Sequence, residues 1–340
     1  MMKTYLYSII FLISCTSVSC QKTNNLNDGP YIFIENNKLV EKDIVNGKVV
    51  TKDLKQDAYK TSFSPDKAEF EGVDKIAVLS DIHGQYKLAV KILKANKVID
   101  NNLNWNFKKG HLVIVGDIFD RGDKVNEIFL LVYKLEQQAK KEGGAVHFVL
   151  GNHEYMVFHK NYKYTNQKYK QVSKLLGLGY NQLYGNNTVM GRWLRSKPTI
   201  LKINNLIFVH GGISEDFVSN NKFDIDAIND AMRKSIDMDE SKMKSSFYDA
   251  YYGTKGPIWY RGYFRDNLKE EQVSDILKAT DCEHIIVGHT SNTKIVSLYN
   301  NKIFGVDSSI KNGKYGEVLL IEKNDFYRGT LDGKKIPFKK

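Results

Sequence analysis

Aspartate, histidine and asparagine can share a divalent cation, and in this chain they recur in one setting: beside a glycine, directly after a short apolar run. Ser80-Asp81-Ile82-His83-Gly84 follows Ile76-Ala77-Val78-Leu79. Gly116-Asp117-Ile118-Phe119-Asp120-Arg121-Gly122-Asp123 follows residues 112–115, and Gly151-Asn152-His153-Glu154 follows residues 146–150. His210-Gly211-Gly212 and Gly288-His289-Thr290 end two further runs. Carboxylate, imidazole and amide carbonyl together suit a first-row divalent ion better than calcium, which seldom takes imidazole. Asp120 can orient a neighbour, while Arg121 offers a planar fork to two phosphate oxygens. His111, His147, His159 and His284 lie outside these segments and read as core, surface or supporting residues.

The elements that must carry these residues follow from periodicity. The apolar runs at 76–79, 112–115 and 146–150 are strands of the buried type, with helices expected over 85–96 and 125–142, the second ended by Gly143-Gly144. A strand, helix, strand, helix, strand order builds a layered α/β core. Loops leaving the carboxyl ends of strands in an open sheet meet at one edge, where ligands bind. Residues 155–200 read as a mostly helical insertion beside that edge. A strand is expected over 203–209, a polar helix over 224–238, a strand over 285–287, and an antiparallel set at 294–298, 302–306 and 317–321. Residues 335–340 read as a solvated tail. The expected architecture is α/β, with two sheets flanked by helices.

The N-terminus reads differently. A short apolar run over residues 5–13 ends in Leu12-Ile13-Ser14-Cys15, with a second cysteine at Cys20; it has signal-peptide rather than membrane-spanning length. It resembles the bacterial lipoprotein signal, in which a cysteine is acylated, so Cys15 or Cys20 is the expected lipid anchor and the bacterial cell envelope the expected location. The organisation is then a signal segment over 1–20, a tether and small antiparallel extension over 21–74 (its strands within 33–54), and a main domain over 75–330. The remaining thiol, Cys282, has no Cys-x5-Arg phosphate loop around it, which argues against thiol catalysis. Among 340 residues, 50 Lys plus Arg against 39 Asp plus Glu give a formal charge of +11, enough to favour anionic partners without choosing one.

Taken together and in this order, the five segments resemble the phosphoprotein phosphatase family of calcineurin-like metallophosphoesterases over residues 76–321. The segment 116–123, the stretch Gly191-Arg192-Trp193-Leu194-Arg195-Ser196-Lys197-Pro198 and Gly256-Pro257-Ile258-Trp259-Tyr260-Arg261-Gly262 are similar to the bacterial Shewanella-like protein phosphatases. The resemblance implies a four-layer sandwich of two mixed sheets flanked by helices. It also implies two divalent metal ions (Mn, Fe or Zn) that activate a water for in-line attack on phosphorus. It assigns Asp81, His83 and Asp117 to one ion, with Asp117 bridging to the second, and Asn152, His210 and His289 to complete the pair. His153 would protonate the leaving oxygen, held by Asp120, with Arg121 as phosphate clamp. Arg261 is the candidate second arginine, with Arg192 and Arg195 as alternatives.

The substrate implied is a phosphorylated protein or peptide, and some Shewanella-like enzymes prefer phosphotyrosine. Tyr162, Tyr164, Tyr169, Tyr180 and Tyr184 in the insertion either stack on a substrate ring or form the core of a helical lid. The alternatives are a hydrolase of small phosphomonoesters or bis-nucleoside polyphosphates, and a non-catalytic phosphate-binding surface protein. A nucleic-acid partner has only the charge in its favour, because basic and aromatic residues are not interleaved. Oligomeric state is not readable from the sequence.

Overall fold

The computed structural model describes residues 25–221 and 223–339; the segment bearing Cys15 and Cys20 lies outside the described residues. Three antiparallel strands come first: β1 (Asp28–Glu35), β2 (Lys38–Val45) and β3 (Lys48–Leu54). The remaining strands are β4 (Glu69–Phe70), β5 (Lys75–Leu79), β6 (His111–Val115), β7 (Ala145–Val149), β8 (Ile200–Ile203), β9 (Leu206–Val209), β10 (His284–Val287), β11 (Val296–Leu298), β12 (Ile303–Gly305), β13 (Val318–Glu322), β14 (Asp325–Gly329) and β15 (Lys335–Pro337). They form two six-stranded sheets, one ordered β15-β14-β13-β5-β6-β7 and the other β11-β12-β10-β9-β8-β4. β5, β6 and β7 are parallel in the first sheet, as are β9, β10 and β12 in the second, with antiparallel strands completing each.

Alternation of side chains along each strand gives the layers. Ile76, Val78, Val113 and Val115 face inward and meet Leu206, Phe208, Ile286 and Phe304 of the opposite sheet. Ala77, Leu79, Leu112 and Ile114 face outward, against α1 (Tyr86–Ala95) and α2 (Val125–Lys141). Behind the second sheet, Ile207, Val209, Ile285 and Val287 face Phe217 of α6 (Glu215–Asn221), Ile225 and Ile228 of α7 (Ile225–Ser235), and Val273, Ile276 and Leu277 of α10 (Glu270–Ala279). The result is a four-layer α/β sandwich, as expected.

α3 (Asn152–Phe158) leads from the loop after β7 into residues 155–200, which hold α4 (Gln167–Leu176) and α5 (Val189–Leu194); α8 (Ser245–Tyr251) and α9 (Gly262–Arg265) follow later. Tyr31 and Phe33 of β1 are buried in the same apolar cluster as Phe129 of α2 and Trp193 of α5, so the small N-terminal sheet shares the core of the larger unit.

Three expectations are corrected. The antiparallel set expected over 294–321 is split between the sheets: β11 pairs with β12 in one, while β13 pairs with β5 and β14 in the other. Residues 203–209 are not one strand: the chain reverses at Asn204-Asn205 between antiparallel β8 and β9, and Asn204 takes the left-handed conformation (φ 54°) that asparagine tolerates in tight hairpins. The C-terminal residues are not a free tail, because Lys335, Ile336 and Pro337 pair with Gly329, Arg328 and Tyr327 at the sheet edge. Among the described residues, no helix is long and apolar enough to cross a membrane.

Candidate metal centre and its surroundings

The five loops leave the carboxyl ends of β5, β6, β7, β9 and β10 and converge. Sharp reversals bring the donors together: Asp81, His83, Asp117, Asp120, Arg121 and His289 all have positive φ, between 46° and 70°. Such backbone costs free energy in a residue with a Cβ and persists where surrounding contacts impose it. Gly116 shows why the loops need glycine, since its φ is +81° and a Cβ there would stand 2.4 Å from Nδ1 of His210.

Asp81, His83, Asp117, Asn152, His210 and His289 are all buried. Oδ2 of Asp117 lies 3.6 Å from Nε2 of His83 and 3.2 Å from Nε2 of His210, so one carboxylate faces both sides of the cluster. Nε2 of His210 is also 2.9 Å from Oδ1 of Asn152. Asp81 has Oδ1 3.9 Å from Nε2 of His83, while its Oδ2 accepts the backbone N–H of His289 at 2.9 Å. Nδ1 of His83 is 2.7 Å from the Phe119 carbonyl and Nδ1 of His210 is 2.8 Å from the Val115 carbonyl. A neutral ring donating at Nδ1 leaves the Nε2 lone pair turned into the centre, the arrangement typical of metal-binding histidines.

Two observations test whether these groups fit metal ions. Nε2 of His289 is buried without a hydrogen-bond partner. Burial, together with the nearby Asp307 carboxylate, pushes Asp81 up to about 8, while Asp117 is held well below the usual range because His210 and His153 overcome its burial. Acids and imidazoles packed this closely call for a compensating charge, and the donor set fits a divalent cation. Among the described residues, two groups have this geometry, His83 with Asp117 and His153, and Asp117 with His210 and His289. They are consistent with a dinuclear centre.

His153 is the exception in the first group. Its Nε2 is 3.9 Å from Oδ2 of Asp117, but its Nδ1 is engaged by Oδ2 of Asp120 at 2.6 Å and its backbone N–H donates to Oδ1 of Asp117 at 3.0 Å. Burial disfavours a charge on this ring, yet Asp117 and Asp120 outweigh that and raise its pKa. The Arg121 side chain is exposed at the rim, its guanidinium 5.0 Å from the ring of Tyr164. Arg261 donates from Nη1 to the His289 carbonyl at 2.7 Å, and its Nη2 lies 3.3 Å from Nδ1 of that ring. Trp259 stands edge-on to His289 at 5.4 Å.

Arg192 and Arg195 do not reach this cluster. Arg192 donates to the Asn186 and Thr61 carbonyls; Arg195 pairs with Asp237 beside a separate cavity of about 720 Å³ that holds none of the proposed metal donors. The insertion tyrosines divide as well. Tyr169, Tyr180 and Tyr184 are core and Tyr162 is half-buried, whereas Tyr164 has its ring 5.2 Å from that of His153. His111 and His147 pair with each other at 3.0 Å on β6 and β7.

Sequence reasoning passed over three residues of this neighbourhood. Glu154 accepts backbone N–H groups of Asp117, Ile118, Phe119 and Gly151, tying two donor loops together; its place at the third position of α3, after Gly151, was a capping signal. Asp307 follows β12 just as the donors follow their strands. Thr165, whose hydroxyl donates to Oδ1 of Asp120 at 2.9 Å, carried no local signal at all.

A model of the calcineurin-like phosphoesterase family matches residues 74–292. The Shewanella-like protein phosphatase 1 of Plasmodium berghei is 29% identical over 245 residues, 69% of this chain and 67% of the relative. The Shewanella-like protein phosphatase 2 of Arabidopsis thaliana is 21% identical over 311 residues, 76% of this chain and 78% of the relative. Among solved structures, the cold-active protein-tyrosine phosphatase of a psychrophilic Shewanella species is similar with a TM-score of 0.87 and 36% identity, over 92% of this chain and 99% of that one. A Saccharomyces cerevisiae protein serine/threonine phosphatase (17% identity, TM-score 0.52, 76% and 77% of the two chains) shares the fold. Loops, donor set and likeness converge on one conclusion: the chain belongs to the calcineurin-like phosphoesterase family, close to the Shewanella-like phosphatases, and is a metal-dependent phosphomonoester hydrolase.

Proposed function

We propose that the protein dephosphorylates tyrosine residues in proteins or peptides. The observation that carries this reading is Tyr164, whose ring stands 5.2 Å from that of His153 with the Arg121 guanidinium 5.0 Å away. A leaving oxygen protonated by His153 must depart beside that histidine, so its side chain would pass over Tyr164, and a phenyl ring gains from edge or offset contact with another aromatic ring. The likeness to a cold-active protein-tyrosine phosphatase supports the same choice.

In this reading Asp81, His83 and Asp117 hold one ion, and Asp117, Asn152, His210 and His289 complete the second site. Manganese, iron and zinc all accept these donors. When bound, the pair supplies Lewis-acid polarisation of the phosphoryl group and a water acidified to near neutrality. Arg121, beside Tyr164, and Arg261, beside His289, clamp phosphoryl oxygens where charge spreads in the transition state. His153 transfers the Nε2 proton to the leaving oxygen while Asp120, at Nδ1, fixes the tautomer and stabilises the protonated ring. The sequence pattern at Cys15 and Cys20 supports lipid attachment at one of them, which would hold the enzyme in the bacterial envelope, facing the periplasm or the surface.

The test is a comparison of kcat/KM for phosphotyrosine, phosphoserine and phosphothreonine versions of one peptide, with small phosphomonoesters and dinucleoside polyphosphates alongside, on manganese-loaded enzyme. Phosphotyrosine should lead, and Tyr164→Ala should erase about 10-fold of its advantage. A lead for dinucleoside polyphosphates, or an unchanged preference in the variant, would reject the reading.

A further inference from the structure

The six residues from Tyr164 to Tyr169 track the loop from Asp120 to Val125 almost group by group. The Thr165 hydroxyl donates to Oδ1 of Asp120 at 2.9 Å. The Tyr164 carbonyl accepts the Arg121 N–H at 3.0 Å, and Nδ2 of Asn166 donates to the Arg121 carbonyl at 2.8 Å. Nζ of Lys168 donates to the Asp123 carbonyl at 2.7 Å. The Tyr169 hydroxyl accepts the Val125 N–H at 2.6 Å and donates to the Asp123 carbonyl at 3.1 Å.

The loop needs such holding. Asp120 and Arg121 are consecutive left-handed residues, φ 70° and 65°, a conformation disfavoured by the contact of Cβ with the following carbonyl. The strap is itself anchored from behind: Lys168 forms an ion pair with the buried Asp28 of β1 at 2.6 Å, and Asp28 accepts a hydrogen bond from Tyr31.

From this we infer that Tyr164–Tyr169 is a positioning strap for catalysis and that Thr165 is its key residue, a positioning residue acting through Asp120. The two oxygens of Asp120 are divided, Oδ2 to Nδ1 of His153 at 2.6 Å and Oδ1 to Thr165. The Thr165 hydroxyl thereby fixes the rotation of the carboxylate, and through it the direction of the His153 Nε2–H. Thr165 and Asp120 are both buried, so water does not replace the hydroxyl when it is removed. Asn166 does the same for Arg121, setting the backbone from which the guanidinium reaches the phosphate. The helical insertion is therefore part of the catalytic apparatus rather than a cover over it. The inference rests on His153 as the proton donor, and its test separates the two.

Manganese-loaded wild type, Thr165→Val, Thr165→Ser, Asn166→Ala and His153→Asn are compared on p-nitrophenyl phosphate, phenyl phosphate and an alkyl phosphate, with inhibition by inorganic phosphate measured for each. Thr165→Val should lose about 10- to 100-fold in kcat on the alkyl ester and less than about 3-fold on p-nitrophenyl phosphate, whose leaving group needs little protonation. Thr165→Ser, which keeps the hydroxyl, should recover both. Asn166→Ala should weaken phosphate inhibition by about 10-fold, with an unchanged dependence on leaving group. Equal losses for Thr165→Val on all three esters, beside a leaving-group-dependent loss for His153→Asn, would overturn the strap and leave the acid assignment standing. A His153→Asn loss independent of leaving group overturns both. Should Thr165→Val fail to fold, the Asn166→Ala result decides, and unaltered phosphate inhibition there counts against the strap.

Discussion

Oδ2 of Asp120 sits 2.6 Å from Nδ1 of His153, and neither side chain is open to solvent. A carboxylate in that position does two things for an imidazole: it selects the tautomer with the proton on Nδ1 in the neutral ring, and it stabilises the doubly protonated form. Asp120→Asn retains shape but removes the charge. The expected result is a kcat loss of about 100-fold on phosphoserine peptides and a much smaller one on p-nitrophenyl phosphate, read from steady-state kinetics. A uniform loss across both would point to a damaged metal centre instead.

Asp117 is the carboxylate closest to both halves of the cluster, within 3.6 Å of His83 and 3.2 Å of His210. Asp117→Asn should weaken metal retention by more than about 100-fold, the upper end for perturbing groups that merely support a ligand. Elemental analysis after gel filtration tests this apart from any activity assay. Metal content equal to that of the wild type would remove Asp117 from the bridging role.

Trp193 is fully buried, stacked near Phe148 at 6.1 Å, and its indole N–H donates to Glu136 at 2.9 Å. The fully buried Lys197 approaches the indole face at 4.3 Å and pairs with Asp66 and Glu136. Trp193→Ala should cost about 3–5 kcal/mol in urea unfolding, with kcat per folded molecule preserved. A large fall in kcat with little loss of stability would mean that the segment 191–198 acts on the site after all.

Glu317 gives a pH signature. Burial alone would raise its pKa, but Arg328, Tyr315 and the Ile295 N–H bind the carboxylate and bring it below its ordinary 4.5. The unfolded chain therefore takes up this proton first as pH falls, so the stabilisation is complete above about 4.5 and declines through the lower folded value. Relative to Glu317→Gln, the wild type should be more stable by about 2 kcal/mol at neutral pH, with the gap narrowing below about pH 4.5. Denaturant midpoints for both proteins at several pH values check it, and a gap that widens in acid would contradict the assignment.

The strands and donor loops were legible because their signals are local. Ile76 to Leu79 alternates between two buried faces, and nearly every donor stands beside a glycine at a strand end. The stretch 191–198 was legible as distinctive but not in its meaning: Gly191 is pressed against the Gly185 carbonyl, Trp193 fills the core and Lys197 bridges two acids, all packing roles. Likewise, five tyrosines look alike in sequence, and what separates Tyr164 from Tyr184 is which tertiary neighbours surround it. Thr165 meets Asp120 across 45 residues of chain, and β15 meets β14 as an edge strand with exposed side chains. Neither contact leaves a periodic trace. The Asn204 turn did leave one, the two adjacent asparagines, which a run of apolar neighbours concealed.

The placement of β5 has a consequence for biosynthesis. The strand leading to Asp81 lies between β6 and β13, and its partner across the antiparallel ladder, Leu319 opposite Val78, is encoded roughly 240 residues later. A growing chain on the ribosome therefore carries the proposed first metal-binding loop on an unfinished sheet until β13, residues 318–322, has been added. Termination between His289 and Val318 would yield a product with every proposed ligand present in its sequence and no completed floor beneath them.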